Sequence, residues 1–188
     1  ISGDLTALLL TNSTFTGNVS NSGLIESADT DGVNISATTF VGNFTNAAGG
    51  IVTGGNDGVY LGGTTFTGNV VNSGTITGLS STGLYFDMTT LTGDVTNNGI
   101  IAGPSGNGIT LALGATIDGN VTNSATGVIA ALSQGIAIDG IVTGILTNAG
   151  LIDPSTGISV TGQVDGGIVN SGTILATVAG IDLAGALT

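Results

Sequence analysis

The 188-residue chain contains no lysine, no arginine and no histidine. A chain of this size ordinarily carries about a quarter of its residues as charges of both signs. Here the only charged side chains are 12 carboxylates, giving a net charge of −12. No ion pair between side chains can form, so stability has to come from apolar burial and hydrogen bonds. Phosphate recognition rests largely on Lys and Arg, so nucleic acid is not an expected partner. An anionic membrane surface should repel the chain. Nucleophile–histidine pairs cannot be built. Cysteine is also missing, so no disulfide informs on the compartment. Tryptophan is absent, and there are only two tyrosines and two prolines. No apolar run approaches the length of a membrane span, and no membrane insertion is expected. The apolar stretch Ala7–Leu10 is too short for a signal peptide and lacks a basic flank. The first residue is Ile1, and the chain reads as a mature or excised segment.

What the chain does have is glycine, 35 residues of it, and apolar residues at 40%. Disordered chains are depleted in the latter. It also has a period. Residues 64–76 read TTFTGNVVNSGTI, and related lines recur from one end to the other. Aligned on the asparagine after the Gly-Asn-Val group, the copies fall at Asn21, Asn46, Asn72, Asn97, Asn123, Asn148 and Asn170. The steps are 25, 26, 25, 26, 25 and 22 residues. Self-similarity at such a period signals a solenoid, a propeller or an array.

The pattern within each copy selects among these. A Gly-apolar-any-apolar group recurs, as in Gly58-Val59-Tyr60-Leu61 and Gly83-Leu84-Tyr85-Phe86. That is the period-two alternation of a strand. A long strand holds Phe66, Gly68, Val70 and Asn72 on one face, and a short apolar element follows at Ile25, Ile51, Ile76, Ile101, Ile129, Ile152 and Ile174. Three short strands per copy predict one turn of a right-handed parallel β-helix. The fold class is therefore all-β, a single β-solenoid domain over residues 1–188 with about seven turns of about 25 residues. Turns stacked at the strand spacing of about 4.8 Å give a rod roughly 34 Å tall. A propeller blade needs more residues, and an outer-membrane barrel needs aromatic girdles that five Phe and two Tyr do not provide.

Alternation places the recurring asparagine inside. A lone buried amide is a liability of about 1–3 kcal/mol. Seven in register can donate to and accept from one another, as in stacked β structures. A structural ladder is therefore the favoured reading of the column, over a binding site built from amides. The glycines two residues after it, Gly23, Gly74, Gly99, Gly150 and Gly172, are expected at positive φ, where glycine has no steric penalty. The interior column Phe15, Phe40, Phe66, Leu91, Ile117, Val142, Val164 tapers toward the C-terminal end.

Three surfaces invite a functional reading. The outward residues Thr14, Thr39, Thr65, Thr90 and Thr116 form a column, with Thr16, Thr67 and Thr92 two residues further on. This Thr-x-Thr face resembles insect-type ice-binding proteins in three copies; Val41 and Asp118 interrupt it. Threonine is equally a favoured solvent-facing strand residue. Asp31 and Asp57 precede strand glycines in adjacent turns, and with Asp29 they form a calcium candidate, since calcium takes oxygen ligands. Residues 54–63, GGNDGVYLGG, look loosely like a calcium-binding nonapeptide repeat, but the segment occurs once where a calcium layer needs tandem copies, and a solvated turn is the favoured reading. Catalysis is not expected. Pectin-degrading enzymes share the fold but use basic residues this chain lacks, and its carboxylates are not paired for glycoside hydrolysis. No cofactor is called for.

The phrases GNVSNSGLI, GNVVNSGTI, GDVTNNGII and GNVTNSATGVI resemble bacterial autotransporter passenger domains and related surface β-helix adhesins, over all seven turns. The resemblance implies a secreted protein displayed at the bacterial surface, in an adhesive, aggregating or spacer role. No translocating barrel lies in this sequence, and a total lack of basic residues departs from the family. Neither end carries a polar cap of the kind solenoids usually need. Two expectations follow for partners: continuation into a longer rod, or end-to-end self-association into a filament. The expected function is that of an extracellular, non-catalytic rod or filament subunit, at the cell surface or in a matrix. The alternative is a module binding ice or a glycan through its Thr-x-Thr face.

Overall fold

The computed structural model describes residues 1–63, 65–87 and 90–187. Within them every regular element is a strand, and every strand pairing is parallel between one turn and the next. The chain is a β-solenoid of about seven turns. Each full turn carries four short strands, not three. In the third turn these are Val59–Leu61, Thr65–Thr67, Val70–Asn72 and Thr75–Gly78. Stacked over the turns they form four walls of eight, eight, seven and eight strands among the described residues. Register is kept throughout: Phe66 lies between Phe40 and Leu91, and Asn72 between Asn46 and Asn97.

The expected long strand divides at Gly68 and Asn69, because the chain turns a corner there. Gly68 adopts φ 138°, and its equivalents Gly17, Gly42 and Gly93 take 142°, 146° and 148°. A side chain at Gly68 would also overlap the carbonyl oxygen of Gly42 one turn away. The glycine of the Gly-Asn-Val group is therefore the corner residue. Gly23, Gly74, Gly99, Gly150 and Gly172 are not at positive φ, contrary to the expectation. Most of them serve close approach instead: a Cβ on Gly74, Gly99 or Gly172 would strike the carbonyl of the stacked Gly50, Gly74 or Gly150.

A second correction concerns Ile51. The interior column is Ile25, Val52, Ile76, Ile101, Ile129, Ile152, Ile174. Ile51 points outward and is 44% exposed. The second copy has six residues from Asn46 to the buried aliphatic where most copies have four, and the extra pair is absorbed in a turn at Ala48 and Gly49. The fifth copy does the same between Asn123 and Ile129.

The interior is apolar, mostly aliphatic, with Phe40, Phe44, Phe66 and Phe86 fully buried among the aliphatic side chains. The tapering column holds in register from Phe15 to Val164. Its aromatic part is a true stack: Phe40 and Phe66 have centroids 4.3 Å apart and planes 21° apart. Phe15 and Phe40 continue it at 5.2 Å and 12°. Offset stacking of this kind adds about 0.5–1.5 kcal/mol per pair beyond area burial.

Two glycine substitutions separate strain from overlap. Gly49 has φ 82° with open space around its missing side chain, whereas Gly68 has both a positive φ and the Gly42 carbonyl against it. In urea denaturation Gly49→Ala should cost about 1–2 kcal/mol, the left-handed penalty alone. Gly68→Ala should cost about 3 kcal/mol or more, because backbone displacement is added to strain. Equal losses would contradict the corner assignment.

Candidate functional site

The seven asparagines form one continuous ladder. The Asn72 Nδ2 donates to Asn97 Oδ1 at 2.8 Å, and Asn97 Nδ2 to Asn123 Oδ1 at 2.9 Å. The same bond links Asn21 to Asn46, Asn46 to Asn72, Asn123 to Asn148 and Asn148 to Asn170, at 2.8–2.9 Å. Every amide donates toward the C-terminal end. The second N–H of each amide turns to the corner backbone. Asn46 Nδ2 lies 3.1 Å from Gly50 O of its own turn and 3.0 Å from Thr75 O of the next. Asn72 likewise reaches Gly74 O and Ile100 O, at 3.3 and 2.9 Å. The amides from Asn46 to Asn148 are at most 1% exposed; Asn21 is 8% exposed, and Asn170 lies open at the end. No buried side-chain nitrogen or oxygen among the described residues lacks a partner. The ladder therefore braces the corner by giving its carbonyls a second donor: Gly50 O and Gly74 O also accept Thr75 N–H and Ile100 N–H of the next turn.

A second ladder runs outside, in the column Asn18, Asn43, Asn69, Asp94, Asn120. Each side-chain oxygen accepts the backbone N–H of the residue stacked on it. Asn18 Oδ1 takes Asn43 N at 2.9 Å, and Asn43 Oδ1 takes Asn69 N at 2.8 Å. Asn69 Oδ1 takes Asp94 N at 2.9 Å, and Asp94 Oδ1 takes Asn120 N at 2.8 Å. Asn120 Oδ1 then takes Ile145 N. Only an acceptor oxygen is required, which is why Asp94 can stand in an asparagine column. The column's signal in the sequence is the second residue of the Gly-Asn-Val group, as regular as the first ladder.

The calcium candidate is resolved differently from the expectation. Asp31 and Asp57 do meet in adjacent turns, but Asp29 is exposed in the turn before them. No three acidic groups among the described residues gather to hold a metal. Asp31 and Asp57 are buried, 8% and 2% exposed, and their oxygens face N–H donors. Asp31 accepts from Asn34 Nδ2 at 2.9 Å, Asn56 Nδ2 at 3.2 Å and Asp57 N at 3.3 Å. Asp57 accepts from Thr82 N at 2.8 Å and Asn56 Nδ2 at 3.2 Å. The Asn56 amide thus bridges two stacked carboxylates. Burial, and to a lesser extent the Asp31 charge, pushes the Asp57 carboxyl above its ordinary value, although hydrogen bonds from Ser81 and Thr82 pull the other way.

The threonine column holds in register over five turns, from Thr14 through Thr39, Thr65 and Thr90 to Thr116. Ile141 and Gln163 then take over the column. Thr16, Thr67 and Thr92 are exposed in the companion column, with Val41 between the first two and Asp118 after the last. The threonine columns are thus in register but short and interrupted. No protein-family model, no curated protein and no solved structure matches this chain.

The inner ladder should be position-dependent. Asn97→Ala strands the Asn72 amide N–H and the Asn123 carbonyl in the buried interior, and should cost about 2–6 kcal/mol, counting about 1–3 for each of the two orphaned groups. Asn170→Ala, at the open end, should cost less than about 1 kcal/mol, because water replaces the lost partner. Chemical denaturation of the two variants checks this.

For Asp57 the sign of the pH effect is opposite to common acid denaturation. Between the ordinary 3.8 and its raised folded value, the native state holds a proton that the unfolded chain releases. This group's contribution to stability therefore falls as pH rises through that window, and the full cost is present above it. Lowering the pH from 7 toward about 4 should raise the Tm, and Asp57→Asn should flatten that slope when both proteins are scanned side by side.

Proposed function

We propose that the chain is a segment of an extracellular, non-catalytic β-solenoid rod, displayed at a bacterial cell surface or in a matrix in a structural or adhesive role. The observation that carries the proposal is the unbroken internal amide ladder. It spans the rod and ties every turn to the next without a single ion pair. A rod built this way resists salt, because it contains no ion pairs for salt to screen. It offers no Lys or Arg to proteases that cleave after basic residues. Its net charge of −12 keeps neighbouring rods apart in solution. The likeness of the GNVVNSGTI-type phrases to autotransporter passenger domains and surface adhesins points the same way.

Further turns would extend either end in the same register. Ile181, Leu183 and Leu187 on the last turn are 41%, 48% and 44% exposed, and they continue the interior columns of Ile158, Val160 and Val164. We propose that these faces receive the next turn of a longer rod, or the first turn of a second copy.

Surface display is tested with antibody raised against the purified chain. Gold labelling of intact, unpermeabilised cells of the source organism should decorate the outside. Labelling only after permeabilisation would overturn the proposal.

A further inference from the structure

The only two tyrosines of the chain stand one above the other on the outside of the wall that begins Val59–Leu61. Tyr60 and Tyr85 are register partners, with Asn34 before them and Thr110 after. Their ring centroids are 5.6 Å apart and their planes meet at 64°, so each is half-buried and the pair makes an angled aromatic corner. Tyr60 is held at both ends. Its ring lies across Gly62, where an added Cβ would stand 2.6 Å from Cε1 and 3.0 Å from the hydroxyl oxygen. Its hydroxyl donates to Asp87 Oδ2 at 2.8 Å.

The pair sits in a strongly negative field. Tyr60 feels the charges of Asp87 and Asp31, and Tyr85 those of Asp87, Asp57 and Asp139. Burial first, and those carboxylates after it, push both phenols above their ordinary value, so the rings stay neutral hydrogen-bond donors at physiological pH. The chain has no cationic side chain of its own to place there.

We propose that Tyr60 and Tyr85, with the aspartates around them, form a binding site for arginine guanidinium groups of a basic polypeptide partner. A guanidinium is planar and weakly hydrated, stacks on aromatic faces, and offers forked donors to carboxylates at the same time. A lysine ammonium satisfies the charge but not the stack. A neutral sugar can stack on a tyrosine but leaves the negative field uncompensated. An anionic partner is repelled by the net charge of −12, which steers cationic chains toward the rod. The site lies on the rod's flank, away from the amide ladder. It stands whether or not the rod proves to be extracellular.

The fluorescence of the chain reads this site alone, because there is no tryptophan and both tyrosines belong to it. The full chain is titrated at constant ionic strength with a blocked Gly-Arg-Gly peptide, a blocked Gly-Lys-Gly peptide and a neutral glucan trisaccharide, and in a separate control series with sodium chloride alone. The arginine peptide should give a saturable change in tyrosine emission, with affinity about threefold or more above the lysine peptide. Tyr85→Leu should weaken that affinity by about threefold or more. Gly62→Ala keeps both fluorophores and leaves the core untouched, but it displaces the Tyr60 ring, so it should weaken binding too while far-UV circular dichroism stays unchanged. The proposal is overturned if the arginine response only follows sodium chloride, if lysine binds equally well, or if the trisaccharide alone saturates. It is also overturned if both folded variants bind the arginine peptide like the parent chain.

Discussion

The constraint on which this fold rests is that every turn must present the same hydrogen-bonding group at the same height. Parallel strands 4.8 Å apart put side chain over side chain. An amide is the one neutral side chain that can both give and take along such a column, with a second N–H left for the backbone. At the corner after Asn72 the chain bends away from its strand, and the carbonyls of Gly74 and Ile100 turn inward; the Asn72 amide meets both. Remove the asparagine and the amides above and below it each lose a buried partner, while the corner carbonyls lose their second donor. Replace it by aspartate and a charge enters a buried interior where no cation exists to meet it. This is why the inner column never varies from Asn21 to Asn170, while the outer column, half in water and needing only an acceptor, admits Asp94.

Glycine plays the complementary part. Two kinds of glycine that look alike in the repeat do different things. Gly68 and its equivalents reverse the sign of φ so that two walls can meet at an angle. Gly74, Gly99, Gly150 and Gly172 have ordinary φ and are there because the preceding turn's backbone passes too close for a Cβ. The first allows the corner and the second allows the stacking. Both are compatible with a ladder only because the turns do not drift. Insertions that would cause drift are pushed outside the strands, as in the turn at Ala48 and Gly49.

This distinction also marks what could be read beforehand and what could not. The period, the parallel stacking, the interior position of the asparagines and the tapering column from Phe15 to Val164 all follow from spacing and alternation. They are properties of columns, and columns are visible in an aligned sequence. What escaped were properties of corners. Alternation runs straight through Thr65 to Asn72, so the sequence shows no sign that Gly68 bends the chain while Phe66, Val70 and Asn72 keep facing inward. At Ile51 an isoleucine at the aligned place stands one residue short of the interior, because the two added residues of that copy shift the count and Val52 takes the core position. Among the candidate sites, the threonine register was legible. The Asp31–Asp57 arrangement was not, since it depends on Asn56 folding back between two carboxylates.

The absence of basic residues then has one physical meaning in the interior and another at the surface. Inside, the ladder and the core hold the rod without ion pairs, and the two buried carboxylates, Asp31 and Asp57, are met by N–H donors instead of cations. At the surface it leaves carboxylates with no cationic side chain in the same chain to balance them. Such a surface is not neutral in its choice of neighbours: it disfavours nucleic acid, anionic lipid and its own copies side by side, and attracts cations of any size. Spread evenly along the flank, this field would select only by charge. At Tyr60 and Tyr85 it coincides with a half-buried aromatic pair, and there charge and shape can act on the same ligand. A solenoid gives this coincidence a defined place, because adjacent turns fix the two rings and Asp87 at one height on one wall, and the rigidity that the amide ladder supplies within becomes geometric selectivity on the outside.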